Sequence, residues 1–395
     1  MREPNPDSIF RAVSTAVALV EGEAGVRDVL NVVARLEPVG VRRISRAVEL
    51  PVPIVAAVCA ELRKRGVVDR QRPVRLTRWG RTMFGFDHRT LPSMNVGTFD
   101  RGEPDLPADL TKVARKLTRI SAEAPAVRVE IDQAHCTVAT KLRRVLFLQQ
   151  AGAMSNRRVL LLGDDDLISI TIEHVARHYE LGAWIRELAV VDVDPAVLAF
   201  CRARLSDAPF PVGFFLHDLR TPLPPALMRR FDTVLTDPPY TPEGAELFLS
   251  RAATALSERV GANVFLCFGM KTPRESLRVQ SAIADMGFVI RRLIRNFNEY
   301  IGAGALGGTS HLYHLTSTTE TKALVVNSHA GRLYTGERIP ARRYSCTACG
   351  AIEQVGADQR NKTVRDLKMR GCPGCGGTAF RPLPKLGAGP RPPRL

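Results

Sequence analysis

Residues 159 to about 316 predict an α/β domain built on a doubly wound, mostly parallel sheet. Apolar strands alternate with amphipathic helices through this stretch, the pattern of repeated β-α-β units. The first strand, Val159–Leu162, runs straight into Gly163-Asp164-Asp165-Asp166. The next strand ends are acidic too, at Asp192-Val-Asp194, His217-Asp218 and Asp237. Sheets of this kind bind ligands beyond the carboxyl ends of their strands, where the strand order switches.

The elements follow in chain order. Residues 1–90 read as a winged-helix-like domain. Ile44–Val48 precedes a turn at Glu49–Pro53, and Ile54–Lys64 places Ile54, Val55, Val58, Cys59 and Leu62 at helical spacing before Gly66 stops it. Val67–Arg70 and Val74–Thr77 read as two short strands around an Arg-rich turn. Helix, turn, helix and two-stranded wing resemble winged-helix domains, including the Leu76–Arg81 ending. Such a domain reads DNA with its second helix, or serves as a packing or dimerisation module. Residues 91–125 form a linker with one helix near Leu110–Ile120.

The α/β domain spans 126–325. Val138, Leu142, Val145, Leu146 and Gln149 form one stripe of a helix ahead of the first strand. Further strands are predicted at Leu188–Val191, Val212–Leu216, Phe231–Thr236, Asn263–Phe268 and Phe288–Ile294. Helices are predicted at Ile168–His178, Ala196–Leu205, Glu243–Leu256 and Arg274–Met286. The run Gly302–Gly308 is expected to be a mobile loop. Residues 340–382 carry Cys346-Thr-Ala-Cys349 and Cys372-Pro-Gly-Cys375, 22 residues apart. Two such knuckles predict a zinc ribbon in which all four thiolates close a structural tetrahedron. Residues 383–395 form a basic tail expected to be disordered.

The chain has 395 residues, 45% of them hydrophobic, and a net charge of +16. No apolar run approaches the roughly 18–20 residues of a membrane span, so a soluble, cytoplasmic protein with no membrane contact is expected. The charge is uneven. Glu61–Thr90 holds nine Lys/Arg against three Asp/Glu, and Asn361–Leu395 holds eight against one. Basic ends suit contact with nucleic acid.

The acidic strand ends carry the chemistry. A nucleotide-binding turn is normally glycine-rich, because backbone N–H groups must approach an anion. Here Gly163 is kept and three carboxylates follow. They repel phosphate and ligand carboxylates and welcome a cation. The layout is that of the S-adenosylmethionine-dependent class I methyltransferase-like, Rossmann-type fold. Asp192 is placed for ribose hydroxyls and Asp218 for an adenine amino group; Gly163, Asp194 and Pro238 are assigned to the same cofactor pocket. In Asp237-Pro238-Pro239-Tyr240 the prolines stiffen the turn. The carboxylate can accept a hydrogen bond from an amine, and the ring can hold a cation.

Gly163-Asp-Asp-Asp-Leu167, Val191-Asp-Val-Asp194, Phe231–Pro239 and Arg295-Asn-Phe-Asn-Glu-Tyr300 together resemble the branched-chain polyamine synthases, over about residues 40–316. The resemblance implies transfer of an aminopropyl group from decarboxylated S-adenosylmethionine to a secondary amine of spermidine or a related polyamine. It implies that the Gly-Asp-x-Asp segment carries the catalytic acid. The donor lacks a carboxylate and keeps an ammonium and a sulfonium, which suits the Asp cluster. Asp164, Asp165, Asp166 and Asp237 are therefore the expected catalytic group, with Asp165 or Asp166 accepting the amine proton. Tyr240, Glu243, Asn298, Glu299 and Tyr300 are the expected substrate-binding residues. Like-charged carboxylates this close should raise one another's pKa when no cation is bound.

Two other readings compete. One is an S-adenosylmethionine-dependent methyltransferase acting on an amino group in RNA or DNA, supported by the Asp-Pro-Pro-Tyr turn, the basic ends and the zinc ribbon, and opposed by the triple Asp. The other is a DNA-binding regulator that senses polyamines. A homodimer through the N-terminal domain, and nucleic-acid contact through the winged helix or ribbon, are the expected partnerships.

Overall fold

The structure, a computed structural model, describes residues 5–86, 106–181, 184–269, 271–301, 308–331, 333–335, 341–356, 359–361 and 363–383. Much of the expected linker, the glycine run after Tyr300 and the basic tail lie outside the described residues. Contacts divide the chain into two compact units. One comprises Met1–Val127, Ala134–Pro238 and Pro242–Ala330; the other comprises Arg128–Gln133, Pro239–Thr241 and Gly331–Leu395.

The first unit opens with helices α1 (Pro6–Ala16), α2 (Gly22–Leu36), α3 (Val41–Val48), α4 (Val52–Lys64) and α5 (Arg78–Phe84). They share a core that includes Phe10, Val29, Leu30, Ile44, Val58, Leu62 and Phe84. α4 begins two residues before the expected start. Pro51 caps it and Pro53 sits in its first turn, where a missing N–H costs nothing. The two expected wing strands reduce to single bridges, Val68 with Leu76 and Val39 with Val74. The intervening Arg70-Gln-Arg-Pro73 supplies little apolar surface and one residue without a donor.

After α6 (Thr111–Ala122) and α7 (Val138–Gln150), the sheet begins. Strands β1 (Arg158–Leu162), β2 (Glu187–Asp192), β3 (Val212–Leu216), β4 (Thr233–Thr236) and β5 (Asn263–Gly269) alternate with helices α8 (Ile168–His178), α9 (Pro195–Arg204), α10 (Pro242–Ala255) and α11 (Pro273–Asp285). β6 (Phe288–Glu299) and β7 (Thr309–Ser317) complete a seven-stranded sheet of order β3-β2-β1-β4-β5-β7-β6. β1 to β5 are parallel. β7 enters antiparallel beside β5 and pairs with β6. The central strands are buried runs of Val, Leu and Phe, as sheets covered on both faces require. The order reverses between β1 and β4, which sets the ligand crevice at their carboxyl ends.

Two differences from the sequence reading bear on the site. β7 is not anticipated. β6 runs on to Glu299, five residues past the expected end at Ile294, so Arg295–Glu299 is strand. A register shift lies between Ile294 and Asn298, with Asn296 at φ 54°. Such bulges re-aim side chains, and Asn298 is buried while Arg295 is exposed.

The second unit holds β8 (Arg342–Cys346), β9 (Ile352–Val355), α12 (Val364–Arg370) and β10 (Phe380–Pro382). The strands form an antiparallel sheet of order β10-β8-β9. In the same unit Asp132 accepts hydrogen bonds from the backbone N–H groups of Thr335 (2.9 Å) and Tyr240 (3.2 Å), and from the Thr335 hydroxyl. Thr241 Oγ1 donates to Leu333 O at 2.7 Å.

Candidate active site

β1 leads into Gly163, whose φ of +84° is a conformation that a side chain disfavours. The chain then presents three aspartates in three environments. Asp164 turns back onto α8. Its Oδ1 accepts from Ile168 N (2.7 Å) and Ser169 N (3.2 Å), and its Oδ2 from the Ser169 hydroxyl. It thus satisfies the open N–H groups of that helix. Burial raises its pKa to about 7 against these bonds.

Asp166 points the other way. Its Oδ1 accepts from Cys136 N at 2.5 Å and its Oδ2 from Arg144 Nη1 at 2.6 Å. Burial disfavours its charge, but Arg144 and Lys141 outweigh burial and hold the carboxyl below its ordinary range. Between them, Asp165 is partly exposed. Among the described residues nothing donates to its carboxylate. Desolvation, then the charges of Asp166, Asp192, Asp237 and Asp164, push its pKa well above the carboxylate range. The expected mutual elevation therefore holds for Asp165 and fails for Asp166, because a guanidinium sits on it; Asp164 is raised by burial, with Asp192 adding to it.

That guanidinium is the centre of the site. α7 buries Thr140 to Leu148 continuously, and Arg144 among them is 1% exposed. A charge so buried must be paired. Its Nε donates to Asn298 Oδ1 (2.8 Å), and its Nη2 to Asp237 Oδ2 (2.7 Å) and Tyr300 OH (3.1 Å). Tyr300 OH in turn donates to Asp237 Oδ2 at 2.5 Å and contacts Ser310 Oγ at 2.9 Å. Asn298 Nδ2 donates to Ser310 Oγ at 2.8 Å. Asp237 Oδ1, by contrast, is buried and accepts nothing among the described residues. The Asp237 pKa is raised to about 6; burial is the largest cause, Arg144 opposes it, Asp166 adds to it and the Tyr300 bond opposes it.

The remaining expected residues divide. Asp192 Oδ2 accepts Asp164 N (2.9 Å) and its Oδ1 accepts Asp194 N (2.8 Å). Asp194 caps α9 through Ala196 N at 2.9 Å. Asp218 is chelated by Arg220, whose Nε and Nη2 lie 2.9 and 2.7 Å from its Oδ2. Pro238 is buried next to Asp237. Glu299 lies 3.8 Å from Arg143 Nη2. Glu243 Oε1 accepts from Arg278 Nη1 and Nη2, both at 3.2 Å. Asn298 and Tyr300, expected as substrate-binding residues, both bond Arg144, and Tyr300 also bonds Asp237. Tyr240 is buried in the second unit. The sequence reading missed Arg144 and Ser310.

In the second unit the four expected cysteines converge, with all four Sγ atoms within 4.8 Å of one another. Cys346 Sγ is 3.6 Å from Cys375 Sγ, and Cys349 Sγ is 3.5 Å from Cys372 Sγ. Backbone N–H groups of Cys349 and Ala348 lower the Cys346 pKa to about 7. Four sulfurs in this arrangement are able to hold a tetrahedral metal ion.

Residues 112–345 match the family model of the branched-chain polyamine synthase A C-terminal domain. The chain is 32% identical over 379 residues to an uncharacterized protein of Methanocaldococcus jannaschii, covering 94% of this chain and 92% of that one. It is 30% identical over 289 residues to an N(4)-bis(aminopropyl)spermidine synthase of Thermococcus kodakarensis, covering 70% of this chain and 79% of that one. The crystal structure of a Thermus thermophilus branched-chain polyamine synthase, solved with N4-aminopropylspermidine and 5′-methylthioadenosine, superposes with a TM-score of 0.51. Its identity is 20%, over 83% of this chain and 96% of that one, a likeness of fold.

Proposed function

The chain belongs to the branched-chain polyamine synthase family, and from that premise we propose that it transfers the aminopropyl group of decarboxylated S-adenosylmethionine to an amine of spermidine or a related polyamine. The products are a branched polyamine and 5′-methylthioadenosine. One observation carries this reading. At the β1–β4 switch point, the Asp165 carboxylate and Asp237 Oδ1 accept nothing from the described residues of the fold. They are acceptors held ready for cationic and N–H-bearing ligands.

The chemistry follows from that pair. An amine nitrogen must be neutral to attack. Its lone pair forms the new C–N bond while the C–S bond breaks, its electron pair passing to sulfur and turning the sulfonium into a neutral thioether. The proton left on nitrogen goes to Asp165. Asp237 Oδ1 accepts a hydrogen bond from the amine and aims the lone pair. Asp164 and Asp166 keep the turn in shape. Asp192, with Gly163, Asp194, Asp218 and Pro238, forms the donor side, where the lack of a carboxylate-binding glycine loop fits a decarboxylated donor. Glu243, Asn298, Glu299 and Tyr300 form the acceptor side.

The accessory parts are read in the same spirit. The N-terminal helices with their bridged arm are a winged-helix-like module, and we assign homodimer contact to it. Cys346, Cys349, Cys372 and Cys375 form a zinc ribbon. A zinc ion with Zn–S of about 2.3 Å spaces its sulfurs by about 3.8 Å, close to the 3.5 and 3.6 Å separations present. Reduced cysteines of this kind belong to the cytoplasm. Nucleic-acid contact through either module is secondary.

Mass spectrometry of reactions with spermidine and either donor tests the function. A gain of one or two aminopropyl units with the decarboxylated donor only is the expected result. A methylated nucleic acid with ordinary S-adenosylmethionine, and no polyamine product, would replace this reading with the methyltransferase one.

A further inference from the structure

We propose that Arg144 is the positioning residue of this site: by bonding Asp166 Oδ2 and Asp237 Oδ2 it keeps both carboxylates anionic and turned so that Asp237 Oδ1 faces the incoming amine. The inference rests on the aminopropyl-transfer reading and deepens it. Its basis is geometric. One guanidinium, fully buried, reaches Asp166, Asp237, Asn298 and Tyr300 at 2.6 to 3.1 Å. These partners come from the turn after β1, the end of β4 and the bulged end of β6. No other side chain joins those three segments among the described residues.

The distribution of bonds is selective. Asp237 has one oxygen doubly engaged, by Arg144 and Tyr300, and one left open. Asp166 has both oxygens engaged. Asp165 has neither. A planar fork with fixed donor directions makes such a division possible, whereas an ammonium is a point charge. The arginine also decides how many protons the site carries. Two carboxylates held against one guanidinium tolerate both charges; without it they share a proton. The other groups facing this cluster are Lys141 on α7 and Cys136 before it, Cys267 on β5, and Asp164 and Asp192 at the neighbouring strand ends. Only Lys141 among them is a cation, and it is tied to Ser121 Oγ at 3.0 Å. It cannot span the same acceptors.

The test is the pH profile of turnover in Arg144→Gln, Arg144→Lys and Tyr300→Phe. In Arg144→Gln, kcat at neutral pH should fall by about 10²-fold or more, and the acid limb of the profile should move up by about one pH unit or more, so that part of the loss is recovered at alkaline pH. Arg144→Lys keeps the charge and should leave the acid limb in place while kcat still falls. Tyr300→Phe removes one donor to Asp237 Oδ2 and should move the limb upward by less, which decides the matter if Arg144→Gln does not fold. A structural role alone would lower the folded fraction and leave every profile superimposable on the wild type; that result overturns the proposal. Calorimetric binding of spermidine across the same pH range gives a readout independent of turnover. Wild-type protein without aminopropyl transfer would sink the functional reading. A wild type that turns over, beside variants with unmoved profiles and unmoved binding midpoints, would sink only the role of Arg144.

Discussion

The backbone N–H of Asp164 donates to Oδ2 of Asp192 at 2.9 Å. The turn that carries the aspartate triplet is thereby fastened to the end of the neighbouring strand. Because Asp192 Oδ1 also takes the Asp194 N–H, one side chain orders two loops. Asp192→Asn retains a single carbonyl oxygen and must release one of these N–H groups. A buried bond lost this way costs about 1–3 kcal/mol. The donor KM should rise about tenfold, with a fall in Tm; an unchanged donor KM would remove Asp192 from the donor side.

Asp164 and Asp165 are adjacent and should behave as opposites. Asp165→Asn removes a carboxylate that no described residue bonds, so turnover should drop at least about 10²-fold while Tm holds or rises. Asp164→Asn removes the group that satisfies the first turn of α8, which should cost about 1–2 kcal/mol of stability. Chemical denaturation alongside steady-state kinetics separates the two. Full activity in Asp165→Asn would transfer the proton-acceptor role elsewhere.

The raised carboxylates also set the pH dependence of stability. Asp164 ionises near 7 in the fold against an ordinary 3.8, and Asp237 near 6. In those windows the folded state binds more protons than the unfolded one, so these groups make the ligand-free protein less stable as pH rises from about 4 to about 7. Asp166, depressed by Arg144, works the other way, and its contribution is lost as pH falls through its folded pKa. The Asp164 share is isolated by comparing the pH slope of Tm in wild type and Asp164→Asn, which should differ between pH 4 and 7 and converge below 4. Parallel curves throughout would mean that Asp164 titrates normally. By the same linkage, a bound polycation displaces protons from the site. The binding enthalpy of spermidine should therefore vary with the ionisation heat of the buffer.

Metal content is a separate matter. About one zinc per chain is expected by elemental analysis, falling toward none in Cys372→Ser with Cys375→Ser. Chelation should lower the melting temperature of the second unit. A protein as stable without metal as with it would leave the four cysteines as packed thiols.

Much of this layout was legible in the sequence because apolar strands and helical stripes have distinct periods. Ile168–His178 and Val212–Leu216 match the structure to the residue, since a turn and a change of period mark each end. β7 escaped notice: Thr309-Ser-His-Leu-Tyr-His-Leu-Thr-Ser317 is largely polar, and three of its polar residues, Ser310, His314 and Ser317, are buried by partners on other segments. Arg144 escaped for a related reason. Beside the stripe of Leu142, Val145 and Leu146 it reads as a solvated residue, and its carboxylate partners lie 22 and 93 residues further along the chain. The acidic cluster could be located from sequence, but the three aspartates could not be told apart, because their different duties come from what each happens to face.

The second unit is drawn from three separate stretches, Arg128–Gln133, Pro239–Thr241 and Gly331–Leu395. Asp132 binds both Tyr240 and Thr335, so the first two stretches are not passengers. A gene cut after residue 330 would therefore leave six residues before α7 and three after β4 without their natural neighbours. The cysteine-bearing unit is therefore not one uninterrupted terminal stretch of chain.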